Sequence, residues 1–387
     1  MTGAEPAAER REHLLDGVRG VAILMVLAAH CLRPEPVSAL SGAVFGAVRW
    51  MMFGVDLFFV LSGYLITDIL IRTRRSPAFY TSFYARRALR ILPAYYLVLA
   101  AIFLGGPHLL PLLKDEHFAG SWPWFAVYLQ NWRICLGPNL YWDGAHHLWS
   151  LAIEEQYYLL WPLVVRLAAP SQLPRICALV FGLVVISKLV LWGLDFEWWR
   201  FYGLTTTRAD ALAAGAWIAA VRALPAVQGQ AARVGVTRAA AAVAFAVMFC
   251  VFWGTLVSEA IVALVTPVVA VLFASSLYLQ LHGSDAAAAR MLRHPVLAWF
   301  ARYSYGIYLW HWPVLRVLQD RGLGAGWFAP WLAGGTNGER IAIGVIAMAL
   351  AIPAAVAMFH AMEAPLLRLK RLFPYAGARA LATPAPP

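Results

Sequence analysis

Charge is what this sequence has least of. Only 13% of its 387 residues are Asp, Glu, Lys or Arg, roughly half the share of a soluble globular protein, which argues against a water-covered single domain. Cysteine is scarce as well. Cys31, Cys135, Cys177 and Cys250 show neither paired nor metal-ligand spacing, so they read as lone thiols in apolar segments. No internal repeat is visible, and no stretch is long and polar enough to form an appended soluble domain. A cleavable signal peptide is not expected either: the first apolar stretch carries Asp16 and Arg19 and lacks a small-residue cleavage site.

What fills the chain is apolar and aromatic. Hydrophobic residues make up 61%, and the mean hydropathy is +0.66. The 17 Trp and 15 Tyr suit the aromatic belts of a membrane bundle. The net charge of +11 is explained by basic cytoplasmic loops more readily than by nucleic-acid binding.

Eleven apolar segments stand out, at about 14–32, 53–71, 91–112, 121–136, 148–168, 174–194, 208–222, 239–256, 260–282, 298–318 and 340–361. Most have the roughly 17–25 residues that a span requires. The 121–136 segment is short and ends in Gln130, Asn131 and Arg133. If it crosses, the Lys and Arg outside the spans divide almost evenly between the two faces. If it does not, they favour the inside by about two to one, as the positive-inside rule demands. The expected fold is therefore an all-α, polytopic transmembrane bundle of about ten crossings plus one re-entrant or interfacial piece. Both termini are expected in the cytoplasm of a bacterial cell membrane. One membrane domain spans 1–365, followed by a basic, then Pro/Ala-rich tail over 366–387 with a disordered tip.

Ionisable side chains inside spans are costly unless they pair or line a cavity, so each marks a candidate site. Arg19 and His30 are eleven residues apart in the first segment. That is about three turns and about 16 Å of rise, which puts both on one face, Arg19 inward and His30 outward. A histidine at a span end is also a common interface residue, and that reading stays open. Asp56 needs a cationic partner, for which Arg19 or a histidine is the natural candidate. Ser62 and Gly63 fall near mid-span, Gly63 allowing close approach of a ligand or of a neighbouring helix. Arg86, Arg87 and Arg90 suit phosphate oxygens of an anionic donor, or serve only to set topology. His147, Ser150 and Glu154 share a helical face, with Glu155 adjacent. His146 and His147 point different ways and lack a third ligand at a characteristic spacing, so no metal is expected. Arg208 and Asp210 are expected to pair with each other or with Glu154 and Glu155. Ser304 and Tyr308 lie deep and His311 higher, while His360 and Glu363 read as structural or donor-side.

Seven stretches in order resemble the acyltransferase 3 family of integral-membrane O-acyltransferases: LLDGVRGVAILMVLAAH (14–30), GVDLFFVLSGYLIT (54–67), FYARRALRILPAYY (83–96), HLWSLAIEEQYYLLWP (147–162), RADALAAG (208–215), SYGIYLWHWP (304–313) and FHAMEAP (359–365). Tyr64 and Tyr157 stand where phenylalanine is usual. The resemblance implies transfer of an acyl group from acyl-CoA, acetyl-CoA or another short-chain thioester, to a hydroxyl. It implies as acceptors cell-surface glycans, lipid-linked sugars, or antibiotics such as macrolides. It also places the family's arginine–histidine pair on Arg19 and His30, its second-span aspartate on Asp56 and its arginine run on Arg86, Arg87 and Arg90. The WSL-EEQ motif falls on Trp149, Ser150, Glu154, Glu155 and Gln156. No secreted esterase-like domain of the kind many surface-polysaccharide members append is expected from this sequence. With the Ala- and Arg-rich composition, this points to antibiotic biosynthesis, a macrolide being the first expected acceptor and a cell-surface or lipid-linked glycan the alternative.

In the expected mechanism His30 is the general base. Asp56 or Glu154 orients it, and Arg19 or the 147–156 helix stabilises the oxyanion. An acyl-enzyme on His30 or Ser150 is the variant. A proton-coupled transporter would also bury His, Asp and Glu, but no matched pair of Gly/Pro-broken segments supports it.

Overall fold

Every regular element among the described residues is helical. The computed structural model describes residues 7–32, 39–109, 120–137, 145–224, 230–253, 259–282, 286–320 and 336–375. Its helices are α1 (Ala7–Cys31), α2 (Ala39–Trp50), α3 (Gly54–Thr73), α4 (Phe79–Ala100), α5 (Trp122–Ala126), α6 (Gln130–Leu136), α7 (Trp149–Leu167) and α8 (Leu173–Gly193). They continue with α9 (Trp198–Tyr202), α10 (Thr205–Arg222), α11 (Gln230–Trp253), α12 (Glu259–Leu281), α13 (Ala286–Leu292), α14 (Pro295–Asp320), α15 (Thr336–Met358) and α16 (Ala364–Arg368). Long apolar runs leave the backbone no water to bond with, and an α-helix satisfies every peptide group internally.

Among the described residues, six helical runs are long and apolar enough to cross a membrane: Arg11–Cys31, Val44–Thr73, Phe79–Gly105, Pro170–Gly193, Leu264–Leu281 and Asn337–Leu372. The protein is a polytopic membrane bundle. Helices α7, α10 and α14 carry ionisable residues within the bundle, among them Glu154, Glu155, Arg208 and Asp210. The lipid-facing exterior is apolar, with Leu104, Leu179 and Val243 all more than half exposed.

The 121–136 stretch is not a single crossing helix. It is two short helices, α5 and α6, separated by a turn in which Tyr128 takes a left-handed φ of 56°. Segments of five and seven residues span far less than the hydrocarbon core.

Helices α3 and α10 pack almost backbone to backbone. A Cβ on Gly63 would lie 2.0 Å from the Leu212 carbonyl oxygen, and one on Gly215 only 1.9 Å from that of Val60. Gly63 thus serves helix packing, and its expected role at a ligand is corrected. α1 lies against α3 and α14, and α14 against α15. The pleat of α1, α3, α4, α7 and α14 encloses the polar interior described next.

The basic part of the tail is docked. Arg86 donates to the carbonyl oxygens of Lys370 (3.0 Å) and Phe373 (3.4 Å), its guanidinium lies over the Tyr375 ring, and Ser82 Oγ donates to the Pro374 carbonyl. Residues 376–387, the Pro/Ala-rich tip, lie outside the described residues.

Candidate active site

Two polar compartments occupy the bundle, one above the other. The first is a cavity of about 280 Å³ whose cationic wall is Arg19 from α1 with Arg87 and Arg90 from α4. Facing them are Glu154 and Glu155 from α7, and Ser62, Ser150, Ser304 and Tyr308 complete the polar lining. Ser62 Oγ donates to Glu154 Oε1 at 2.6 Å and accepts from the Tyr158 hydroxyl at 3.1 Å. The Arg87 guanidinium sits 5.2 Å from the centre of the Tyr158 ring. Stacking holds that guanidinium while leaving N–H groups for an anion. Arg19 also meets Asp16 at 3.2 Å.

The second compartment is a layer of imidazoles. His30, at the far end of α1, meets His311 of α14 with Nδ1 and Nε2 2.9 Å apart. The His147 ring approaches His311 edge-on at 5.4 Å between centroids, and Trp312 approaches His30 likewise at 4.8 Å. His311 and His147 are buried. The His147 ring is buried against the Leu309 backbone and at least one of its nitrogens is left for a bound hydroxyl to meet.

Between the compartments stands Tyr308. Its hydroxyl donates to the His147 carbonyl at 2.6 Å and lies 2.5 Å from Ser150 Oγ. Its ring lies 5.4 Å from that of His147 and 5.5 Å from that of His311. The cavity thus ends one side chain short of the histidines.

The structure brings Arg19, Arg87, Arg90, Ser62, Ser150, Glu154, Glu155 and Ser304 to one cavity, and His30, His147 and His311 to the layer beyond it. It moves others elsewhere. Asp56 does not pair with Arg19 or a histidine: it meets Arg208 at 2.9 Å, both side chains being buried. That contact is an ion pair without hydrogen-bond alignment, and Tyr202, Trp149 and Phe59 surround the guanidinium at 4.5 to 5.7 Å. Asp210 likewise pairs with neither Arg208 nor a glutamate in its own right. Its carboxylate takes Lys188 Nζ at 2.6 Å, and Thr266 Oγ1 donates to the same oxygen. Arg86 is turned toward the chain's own carbonyls, away from the anion role expected for it. Adjacency of α3, α8, α10 and α12 decides these partners, and helical periodicity within one segment contains none of it.

Sequence reasoning missed Lys188, the cation in the apolar second half of a 21-residue helix whose other cation, Arg175, lies in its first turn. It also missed the work of Gln156, which joins α7 to the α5–α6 piece. Gln156 Nε2 donates to the Tyr128 carbonyl (2.7 Å) and Asn131 Oδ1 (2.9 Å), and its Oε1 accepts from Trp132 Nε1 and Thr205 Oγ1. The polar end of 121–136 was the available signal. Among the described residues, no group of three or more His, Cys, Asp or Glu is placed to hold a metal ion.

The comparisons agree with the motifs. The chain is 28% identical over 333 residues to the peptidoglycan O-acetyltransferase OatA of Listeria monocytogenes, covering 78% of this chain and 49% of that protein. It is 30% identical over 327 residues to YrhL of Bacillus subtilis, provisionally named a peptidoglycan O-acetyltransferase, covering 78% and 48%. A Staphylococcus aureus protein provisionally named an O-acetyltransferase is 27% identical over 330 residues, covering 79% and 51%. The chain spans about half the length of these curated relatives. No solved structure matches it. A family model for the acyltransferase domain matches residues 12–360, so the chain belongs to the acyltransferase 3 family.

Proposed function

We propose that this protein moves an acetyl or other short acyl group from acyl-CoA, bound on the arginine side, to a hydroxyl of a cell-surface or lipid-linked glycan on the histidine side. The observation that carries this is the two-storey interior, in which three arginines line one compartment and three histidines the next, with only Tyr308 and Ser150 between them. The glycan acceptor is preferred to the macrolide expected from the sequence because the names of two relatives specify peptidoglycan.

In this reading Arg19, Arg87 and Arg90 hold the donor's phosphates by charge-assisted hydrogen bonds. The thioester end reaches past Ser150 and Tyr308 toward His30. The His30 imidazole takes the proton from the acceptor hydroxyl as its oxygen attacks the thioester carbonyl. Ser150, whose hydroxyl proton otherwise points to the Tyr308 oxygen, turns that O–H to the resulting oxyanion while Tyr308 keeps its bond to the His147 carbonyl. Collapse expels the CoA thiolate, which takes the proton back from the imidazolium and leaves as free thiol. His147, buried in the same layer, binds the acceptor through the ring nitrogen that its backbone partner leaves open.

Membranes containing the protein should release free thiol from acetyl-CoA only when an N-acetylhexosamine oligomer is supplied, and the oligomer should gain one acetyl mass per thiol. His30→Ala should lower that rate by about a hundredfold or more, the usual contribution of a general base. Thiol release with a macrolide but not with the oligomer would return the acceptor to the antibiotic class. Full activity of His30→Ala would remove the histidine layer from the chemistry.

A further inference from the structure

Three buried features outside the donor cavity invite a role: the Asp56–Arg208 and Asp210–Lys188 pairs, an apolar groove between α1 and α12, and the contact between His30 and His311. Each pair neutralises its own charge, and nothing specifies an occupant for the groove. The histidine contact goes further.

His311 Nδ1 lies 2.7 Å from the Tyr308 carbonyl oxygen and 3.2 Å from that of Ile307. Carbonyl oxygens only accept, so this nitrogen carries a proton. In the neutral ring Nε2 is then a lone pair. His30 Nδ1, 2.9 Å from that lone pair, must be the donor. The two rings are tilted by only 3°, with centroids 5.2 Å apart. That separation is the nitrogen–nitrogen distance plus one ring radius at each end, so the imidazoles lie edge to edge in one plane. This is a linear in-plane hydrogen bond, not a π-stack.

We infer that His311 is the positioning residue for His30: it fixes the Nδ1–H tautomer and thereby makes Nε2 the basic nitrogen. This rests on the reading of His30 as general base and specifies how that base is aimed. A backbone carbonyl orients His311, His311 orients His30, and Trp312 against the His30 ring restrains its rotation. The acceptor in this chain is neutral, where serine hydrolases use a carboxylate for the same task. Between turnovers the pair adds no charge to a buried site. When His30 takes a proton at Nε2, the Nδ1–H bond to His311 becomes charge-assisted and strengthens.

The test uses His311→Gln, whose amide oxygen reaches the position of Nε2, against His311→Leu, which offers no acceptor. Each is purified in detergent and checked for a monodisperse gel-filtration profile and for unchanged acetyl-CoA binding. His311→Leu should lose on the order of a hundredfold in kcat with little change in KM for the donor, and His311→Gln should recover most of that loss. The protein with ¹⁵N-labelled histidine gives a direct readout even if the leucine variant does not fold. The imidazole signal that disappears in His30→Ala should show a protonated Nδ1 and an unprotonated Nε2. The opposite tautomer, or a His311→Leu variant within twofold of the parent, would overturn the positioning role while an inactive His30→Ala left the base in place. An active His30→Ala would overturn both.

Discussion

A buried charge is tolerated by its neighbour alone, and Asp56 shows how specific that neighbour must be. With Arg208 beside it and three aromatic rings around the guanidinium, the pair is closed to water. Removing one partner of such a pair costs about 3–5 kcal/mol, whereas replacing both with apolar groups of similar size is often neutral. Asp56→Leu should therefore abolish recovery of monodisperse protein, and Asp56→Leu combined with Arg208→Met should restore most of it. Thermal survival of the detergent-extracted protein checks this. If the double variant is folded yet inactive in thiol release, Asp56 has a chemical role as well as a structural one. Arg19 with His30, and His147 with Ser150 and Glu154, were legible because helical periodicity fixes which side chains share a face. The partners of Asp56 and Asp210 were not, because they depend on which helices are neighbours, and Lys188 gives no periodic signal at all.

At the scale of elements, the α5–α6 piece is joined to α7 chiefly through the Gln156 amide, with Gln130 Nε2 donating to the Leu148 carbonyl just before α7. Gln156 makes four hydrogen bonds to α5–α6 and the start of α10, and a buried polar group left without its partner costs about 1–3 kcal/mol. Gln156→Leu should leave the bundle assembled and loosen only residues 121–136. Hydrogen exchange would show faster amide exchange in that stretch and little change in α3 or α10. Uniformly faster exchange would mean the amide supports the whole bundle. The broken character of 121–136 was readable from charge placement and from its polar end. The turn at Tyr128 and the hub at Gln156 were not, since both are defined by tertiary contacts.

For the molecule as a whole, the arginine face joins the start of α1, the end of α3, the start of α4 and the docked tail, with Arg11 paired to Asp68 at 2.5 Å. The opposite face holds His30, Asp56 and the loop before α10. Our reading puts the arginine face in the cytoplasm, with ten crossings. Single cysteines introduced in a variant free of native thiols test it. Arg75→Cys should react with a membrane-impermeant maleimide only after permeabilisation, and Glu197→Cys in intact cells. The reverse pattern would invert the topology and with it the sides assigned to donor and acceptor.

The hydroxyl contact of Tyr308 with Ser150 and the His147 carbonyl has one more consequence. A conduit for the donor's reactive end that stayed open would also conduct protons and ions down the gradient across an energised bilayer. On the proposed donor route, the paired hydroxyls of Ser150 and Tyr308 would have to close that path whenever no donor is bound, so Ser150→Gly should raise proton leakage through vesicles containing the protein, read with a pH-sensitive dye.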